Sequence, residues 1–186
     1  TMPIVIISRL SKAYRLLAAA AARAAKCSPV PRHWLFKTEP DTFSIDNLER
    51  DGRTEWSGVR SFQARNLMRE MTPGDLGFFY HSSIAPPGIV GICEVLGEAH
   101  PDSTQFDKAS EYYDRTSKRE DPKWWCVDVK FVRRLARFVP IDELRTIPDL
   151  AFMPLLRRGQ RLSVQPVSPQ EWEIILKLAD PSTGSG

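Results

Sequence analysis

Two short stretches of the sequence place large aromatic side chains beside a few polar and cationic ones. Residues 33–39 read His-Trp-Leu-Phe-Lys-Thr-Glu, and residues 56–60 read Trp-Ser-Gly-Val-Arg. Aromatic faces can stack on a flat ligand, and donors on Lys37, Arg60 and the backbone near Gly58 can bind its polar edge or a phosphate. The pattern therefore predicts a site that binds a flat polar ligand without breaking bonds.

The surroundings of two of these side chains support this interpretation. Trp56 lies among polar and flexible residues, so we predict that it covers a ligand rather than filling the core. Lys37 lies inside an apolar run, where an ammonium group is costly unless it reaches solvent or a ligand. Of the adjacent Trp124 and Trp125, strand alternation sends one to each face, so at most one of them is expected in the core.

Familiar catalytic motifs are absent from the sequence. It contains no Walker sequence, no G-x-G-x-x-G, no G-x-S-x-G and no H-E-x-x-H. His81 ends an aromatic run, and it is the histidine that we place near the site. A structural hydrogen bond is the commoner role for a lone histidine, and a catalytic base is the alternative.

The cysteines do not predict a metal site. Cys27, Cys93 and Cys126 show neither CxxC spacing nor a histidine at zinc-ligand spacing. Cys93 and Cys126 lie in apolar runs, so we predict that they are small buried hydrophobes, and an unpaired set favours a reducing compartment. We expect neither a metal nor another cofactor.

The charge of the chain is unevenly distributed. The 186 residues carry a net charge of +3, but residues 1–32 hold six basic side chains and no acidic one, which leaves 20 basic against 23 acidic residues in the remainder. A uniformly basic nucleic-acid-binding surface is therefore excluded for residues 33–186. If this part binds nucleic acid, it must use a local basic patch or hold one nucleotide.

The first 32 residues also differ from the rest in composition. The run 11–25 is rich in Ala and Leu and favours a helix, but it is too short and too charged to cross a membrane. Such an acid-free, arginine-containing segment is typical of an organellar transit peptide, and an extension without a role is the alternative. We predict an extension at 1–32, one domain at 33–179 and a disordered tail at 180–186.

Hydrophobic periodicity predicts a mixed α+β domain. Strands are predicted at 33–37, 76–81, 89–95, 124–139 (one bent or two joined) and 162–167. Helices are predicted at 44–50, 61–71, 141–145, 149–156 and 168–178, the last opened by a capping box with Pro169 at its first position. Short strands interrupted by short helices, without a βαβ rhythm, predict a small mixed barrel.

Many short motifs in this order resemble the EVE domain family. They are Trp34 to Pro40, Phe43 to Ile45, Trp56 to Arg60, Gln63 to Asn66, Gly74-Asp75, Phe79 to Ser82, Ile89 to Ile92, Pro101-Asp102, Gln105 to Asp107, Tyr112 to Asp114, Pro122 to Trp124 and Val127 to Val129. The resemblance covers roughly residues 33–179. It implies a PUA-like fold, a twisted mixed β-barrel with short helices at its openings.

The resemblance also implies a non-catalytic reader that binds a modified nucleobase, with modified cytosine such as 5-methylcytosine in DNA as the usual ligand and RNA as an open alternative. A base swung out of a duplex needs aromatic walls and a few fixed polar groups. The motif match assigns to this pocket Trp34, Lys37, Trp56, Ser57, Gly58, Val59, Arg60, Tyr80, His81, Ser82 and Trp124. Arg65, Asn66 and Arg69, on the polar face of the predicted helix 61–71, are the candidate contacts to the nucleic-acid backbone.

The chain departs from the family pattern at three positions. Ser61 and Ser83 stand where the family commonly has Asn, and Phe62 stands where it has Tyr. Two amides and a hydroxyl that could read a base edge are therefore missing. The resemblance further implies a monomer without a membrane partner, cytoplasmic in a bacterium and nuclear or mitochondrial in a eukaryote.

An enzymatic alternative belongs to the related ASCH domains, some of which resemble amidohydrolases that act on a modified cytidine with Lys, Thr and Glu. Lys37, Thr38 and Glu39 supply these residue types. Strand alternation, however, places Thr38 on the opposite face from the other two, which argues against a single catalytic site.

Overall fold

The computed structural model describes residues 32–180. The predicted N-terminal extension, apart from Arg32, and the predicted tail after Asp180 lie outside the described residues. Within 32–180 the strands are β1 His33–Thr38, β2 Arg53–Glu55, β3 Leu76–His81, β4 Gly88–Val95, β5 His100–Pro101, β6 Trp125–Cys126, β7 Asp128–Pro140 and β8 Val164–Val167. The α-helices there are α1 Ile45–Asp51, α2 Phe62–Glu70, α3 Ile141–Arg145 and α4 Pro169–Ala179.

Six of the strands form one mixed sheet in the order β2-β7-β4-β3-β1-β8. Strands β1 and β3 are parallel, and the other neighbouring pairs are antiparallel. The register shifts twice between β4 and β7 and once between β3 and β4. Such irregularities increase the local twist, which fits a sheet that curls into a half-barrel. The α+β class is confirmed, and the parallel pair of β1 and β3 makes the sheet mixed, as predicted.

Alternation along β1 separates two hydrophobic cores. Trp34 and Phe36 point into the first core, which α1 and α2 cover, whereas Leu35 points into the second core. The second core is closed by α4, whose Trp172 stacks on Phe78 at 4.0 Å between ring centroids. Both faces of the sheet are therefore packed, and the strands become a rigid frame.

Capping residues in the sequence correctly predicted where the helices begin. Ser44 and Ser168 accept hydrogen bonds from the third residue of α1 and α4, and each completes a capping box. Ser61 caps α2 in the same way, without the reciprocal bond. The predicted helix 149–156 is wrong: two 3-10 turns, Pro148–Leu150 and Pro154–Leu156, stand there, since a proline inside a helix removes a backbone donor.

Two further predictions concern the long strand region at 124–139 and the cysteines. The predicted strand at 124–139 is two strands, β6 and β7, interrupted at Val127. Cys93 and Cys126 are free and buried, as predicted. No helix of residues 32–180 is long and apolar enough to cross a membrane.

Candidate functional site

A cavity of about 650 Å³ opens where β1 ends, beside the loop that follows β2. Its volume lies within the range of small-molecule and cofactor sites. It is lined by three aromatic rings, several hydroxyl groups and charges of both signs: Lys37, Thr38, Glu39, Thr42, Phe43, Thr54, Glu55, Trp56, Ser57, Gly58, Val59, Arg60, Ser61, Tyr112, Arg161 and Ser163. Of the eleven predicted pocket residues, six line it: Lys37 and the whole segment 56–60.

Trp56 is both a wall of this cavity and a member of the first core. Its backbone N–H donates to the carbonyl of Val127 at 2.8 Å. Its ring meets Phe36 and Phe79 edge-on, with centroids 5.0 and 5.7 Å away. Only 7% of the residue is exposed. The prediction that Trp56 covers a ligand rather than core is therefore wrong in part, because the polar loop around it folds back onto the sheet.

The buried carboxylate of Asp102 holds the loop 57–61 in place. Its Oδ2 accepts from the Gly58 N–H and from Arg60 Nη1, both at 2.8 Å. Its Oδ1 accepts from the backbone and hydroxyl of Thr104. Burial raises the pKa of Asp102, but the hydrogen bonds from Thr104, Arg60 and Gly58 outweigh it, so the pKa lies below its ordinary value.

Arg60 is a positioning residue rather than a free donor. Besides Asp102, its guanidinium donates to the Tyr112 carbonyl at 3.0 and 2.5 Å and to the Thr104 hydroxyl at 2.9 Å. The predicted donor to a base or phosphate is thus already committed to the protein. It fixes Tyr112 against the loop, and the ring lies so close that a Cβ on Gly58, which has φ +77°, would approach it to 2.8 Å.

Lys37 lines the cavity and is bonded to the segment that precedes β8. Its Nζ donates to the Gln160 carbonyl at 3.4 Å, and its backbone N–H donates to the Ser163 carbonyl at 2.7 Å. Thr38 and Glu39 line the cavity as well. All three residues of the set therefore contribute to one cavity, at the point where β1 ends with Thr38, although strand alternation predicts opposite faces for Thr38 and its two neighbours.

Trp34 and Tyr80 lie away from the cavity lining, which corrects their predicted place. Trp34 is 2% exposed, and its indole N–H donates to Asp75 Oδ2 at 2.9 Å. Tyr80 belongs to the second core, on the other face of the sheet. Both fill the interior because they stand in strands covered on both faces, where an aromatic side chain has no access to a ligand.

His81 and Ser82 also have structural contacts outside the cavity. The Nε2 atom of His81 accepts from the Ile45 N–H at 3.1 Å, so the imidazole satisfies the first backbone donor of α1. Burial lowers the pKa of His81, which keeps it neutral and able to accept. Ser82 donates to the Thr38 carbonyl at 3.1 Å. These contacts give the histidine the structural role that is the alternative to a catalytic base.

Trp124 walls a neighbouring cleft of about 300 Å³, which shares Arg60 and Tyr112 with the main cavity. Its indole N–H donates to Asp114 Oδ2 at 2.8 Å, and its ring stacks on Phe62, centroids 4.9 Å apart. The predicted further wall is therefore near the site but outside its lining.

The three predicted backbone contacts lie on α2, away from the cavity lining. Arg65 donates to the Lys123 carbonyl at 3.0 Å and to the side chain of Asn66. The guanidinium of Arg69 lies over the Trp125 ring, 4.8 Å from its centroid. Arg65 and Asn66 thus satisfy each other.

Several cavity residues were missed from the sequence. Tyr112 and Phe43 lay within motifs that carried the family resemblance but were not assigned to the pocket. Thr42, Arg161 and Ser163 gave no local signal, since they reach the site only through tertiary folding.

The departures from the family pattern fall at different places. Ser61 lines the cavity and caps α2. Phe62 is 56% exposed, and neither it nor Ser83 lines the cavity. Only the change at Ser61 therefore alters the cavity lining.

One group within the described residues has donor types that a divalent cation could use. Ligand atoms of Glu55, His100 and Asp128 lie within 4.8 Å of one another. The His100 Nε2 to Asp128 Oδ1 distance of 3.4 Å is also that of a weak hydrogen bond or ion pair. No metal role is assigned to it.

Comparison with known proteins identifies relatives with the same architecture. The family model described as EVE domain matches residues 32–178. Thymocyte nuclear protein 1 of Mus musculus is 44% identical over 167 residues, which cover 80% of this chain and 74% of the relative. The Homo sapiens protein is 42% identical over the same length and shares.

Solved structures agree with the sequence relatives and confirm the PUA-like fold. A Leishmania major protein has a TM-score of 0.77 at 42% identity, covering 82% of this chain and 97% of that one. A crystal structure of human THYN1 protein in complex with 5-methylcytosine-containing DNA has a TM-score of 0.76 at 41% identity, covering 80% of this chain and 98% of that one.

Proposed function

Because the chain belongs to the EVE domain family, we propose that it binds DNA carrying a modified cytosine and receives the modified base in the cavity beside Trp56. The family assignment rests on the match over residues 32–178. A relative of 41% identity has been crystallised with 5-methylcytosine-containing DNA, which supports DNA rather than RNA as the partner.

The observation that carries the proposal is the cavity built around Trp56. Three aromatic rings, those of Phe43, Trp56 and Tyr112, line it. A flipped pyrimidine needs aromatic surfaces for stacking and a few fixed polar groups for its edge. The hydroxyls of Ser57 and Thr38 and the ammonium of Lys37 are the polar groups available beside them.

Binding without turnover is part of the proposal. Hydrolysis would require a nucleophile and a base within hydrogen-bond reach of each other. In residues 32–180, Lys37 Nζ donates to a backbone carbonyl and the Thr38 hydroxyl donates to the Glu39 carbonyl at 3.4 Å. Neither contact joins two side chains of the Lys37, Thr38 and Glu39 set, so the cavity supports the reader over the amidohydrolase.

A blocking substitution tests the proposal. Ser57 is exposed and lines the cavity, so Ser57→Trp should fill it without removing core contacts. We expect affinity for a 5-methylcytosine duplex, measured by fluorescence anisotropy, to fall at least tenfold while the melting temperature stays unchanged. Ser103→Trp, at an exposed serine outside the cavity lining, is the matched control.

Two results would contradict the proposal. Unaltered affinity in a folded Ser57→Trp protein would remove the cavity from DNA binding. Loss of the acyl group from an oligonucleotide that carries an acylated cytosine, detected by mass spectrometry after incubation with the wild-type protein and absent with Lys37→Met, would establish the amidohydrolase instead.

A further inference from the structure

Three exposed arginines fall in one short segment that reaches the cavity through Arg161, and the proposed function gives this segment no role. Residues 157–161 read Arg-Arg-Gly-Gln-Arg and connect the 3-10 turn Pro154–Leu156 to β8. We call residues 157–161 the arginine segment. Arg157, Arg158 and Arg161 are exposed, and Arg161 lines the cavity.

The backbone of the arginine segment is held in place at both ends. The Arg157 N–H donates to the Pro154 carbonyl at 3.2 Å, and the Gln160 N–H donates to the Arg157 carbonyl at 3.3 Å. The side-chain oxygen of Gln160 accepts from the Leu162 N–H at 3.0 Å. The Gln160 carbonyl accepts from Lys37 Nζ, which ties the segment to the end of β1.

The guanidinium groups of the segment differ from most surface arginines of this fold. Elsewhere in residues 32–180, six surface arginines pair with acids: Arg32 with Glu70, Arg50 with Asp51, Arg133 with Asp180, Arg134 with Asp46 and Glu49, Arg137 with Glu143 and Arg145 with Asp142. The exposed Arg53, Arg69, Arg115 and Arg119 have no ion pair within these residues. Within the described residues no ion pair or side-chain hydrogen bond engages Arg157, Arg158 or Arg161. Their charges therefore remain available to an outside partner.

The positive charge of the cavity lining is concentrated beside this segment. The basic lining residues are Lys37, Arg60 and Arg161, and the acidic ones are Glu39 and Glu55. Arg60 is neutralised by Asp102, at 2.8 Å. The lining then holds two positive groups, Lys37 and Arg161, and two negative ones, Glu39 and Glu55. Both positive groups adjoin the arginine segment, because Lys37 Nζ donates to the carbonyl of Gln160, the residue before Arg161.

We propose that the arginine segment binds the phosphates that flank the base held in the cavity. A base that enters the cavity on a DNA strand brings its own 5′ and 3′ phosphates to the cavity mouth. Guanidinium groups bind phosphate oxygens in a bidentate manner, and such contacts fix the register of the strand without reading its sequence. This proposal rests on the proposed function and moves the backbone contact from Arg65 and Arg69 to the opening of the cavity.

Salt dependence tests this proposal. The Kd for a 5-methylcytosine duplex is measured by anisotropy from 50 to 300 mM NaCl for the wild type, Arg161→Gln and the triple variant with Gln at 157, 158 and 161. We expect the slope of log Kd against log salt to fall by about 0.9 for each phosphate that the variant no longer binds. Arg145→Gln, at an exposed arginine outside the cavity lining, should leave the slope unchanged.

The preference for a modified base separates this proposal from the proposed function. Removing side chains that bind phosphates weakens binding uniformly across sequences, so the triple variant should bind methylated and unmethylated duplexes more weakly by the same factor. An unchanged slope in the folded triple variant would overturn the proposal, as would a slope that instead falls in an Arg65→Gln, Arg69→Gln double variant. A wild type without any preference for the methylated duplex would refute the proposed function itself.

Discussion

At the residue scale, Trp56 shows how a binding wall can also be part of a core. Its ring packs edge-on against Phe36 and Phe79 while its surface faces the cavity. Truncating a buried aromatic side chain of this kind costs about 3–5 kcal/mol. Weaker binding by Trp56→Ala would therefore report on the fold as much as on the ligand, which is why a blocking residue at Ser57 is the sharper probe.

Asp102 carries the charge that shapes the loop 57–61. Asp102→Asn leaves Arg60 without its ionic partner, and removing one member of a buried pair costs about 3 kcal/mol. We expect a loss of this size in the free energy of unfolding at pH 7, measured with urea. Asp142→Asn, in the exposed pair with Arg145, should cost less than about 1 kcal/mol.

The pH dependence of this loss follows from the direction of the pKa shift. The pKa of Asp102 is lower in the folded protein than its ordinary value, so its stabilisation is present above about pH 4 and is lost as the pH falls through the folded value. The stability difference between wild type and Asp102→Asn should therefore narrow in acid. A difference that stays constant down to pH 3 would contradict the role given to the carboxylate.

At the element scale, His81 of β3 fastens the start of α1. The neutral imidazole accepts a hydrogen bond from the Ile45 N–H. Burial lowers the pKa of His81, and the nearby charge of Arg134 lowers it further, whereas the charge of Asp46 raises it. Because the pKa of His81 is lower in the folded protein, the stability that its neutral form contributes is fully present above about pH 6.5. This stability is lost as the pH falls through the pKa of His81 in the folded protein.

His81→Gln tests this contact. The glutamine carbonyl can accept the same hydrogen bond but does not titrate. We expect the melting temperature of the wild type to fall more between pH 7.5 and pH 5 than that of His81→Gln, as measured by circular dichroism. Burial also lowers the pKa of His33. Because His33 is present in both proteins, its contribution to the pH dependence cancels in the comparison. Parallel curves would show that His81 does not titrate in this way.

The sequence predicted the elements whose formation depends on residues close together in the chain. Ser44 and Ser168 marked helix starts because capping uses backbone donors within the next three residues. The three-residue strand β2 was missed because its polar residues 53–55 become a strand only by pairing with β7. Arg161 was missed for the same reason, since Lys37 and Gln160, which bring the segments together, are 123 positions apart.

At the scale of the whole molecule, the site is assembled from segments that the rigid sheet brings together. The end of β1, the loop 56–61, Tyr112 and the arginine segment all meet at one cavity. Asp102 and Arg60 lock two of these parts before any ligand arrives. A preorganised site of this kind avoids the cost of ordering loops on binding. The motifs 56–60 and 112–114 were visible in the sequence, but their convergence required the fold.

If the cavity prefers a modified cytosine, the ratio of two dissociation constants must show it. The Kd of the wild-type protein is measured at one salt concentration for two duplexes that differ by a single 5-methyl group. Burying one methyl group contributes about 0.8 kcal/mol, which is about fourfold in Kd. We predict at least this preference for the methylated duplex and its loss in Ser57→Trp. Equal affinities of the wild type for the two duplexes would show that the cavity does not recognise the methyl group.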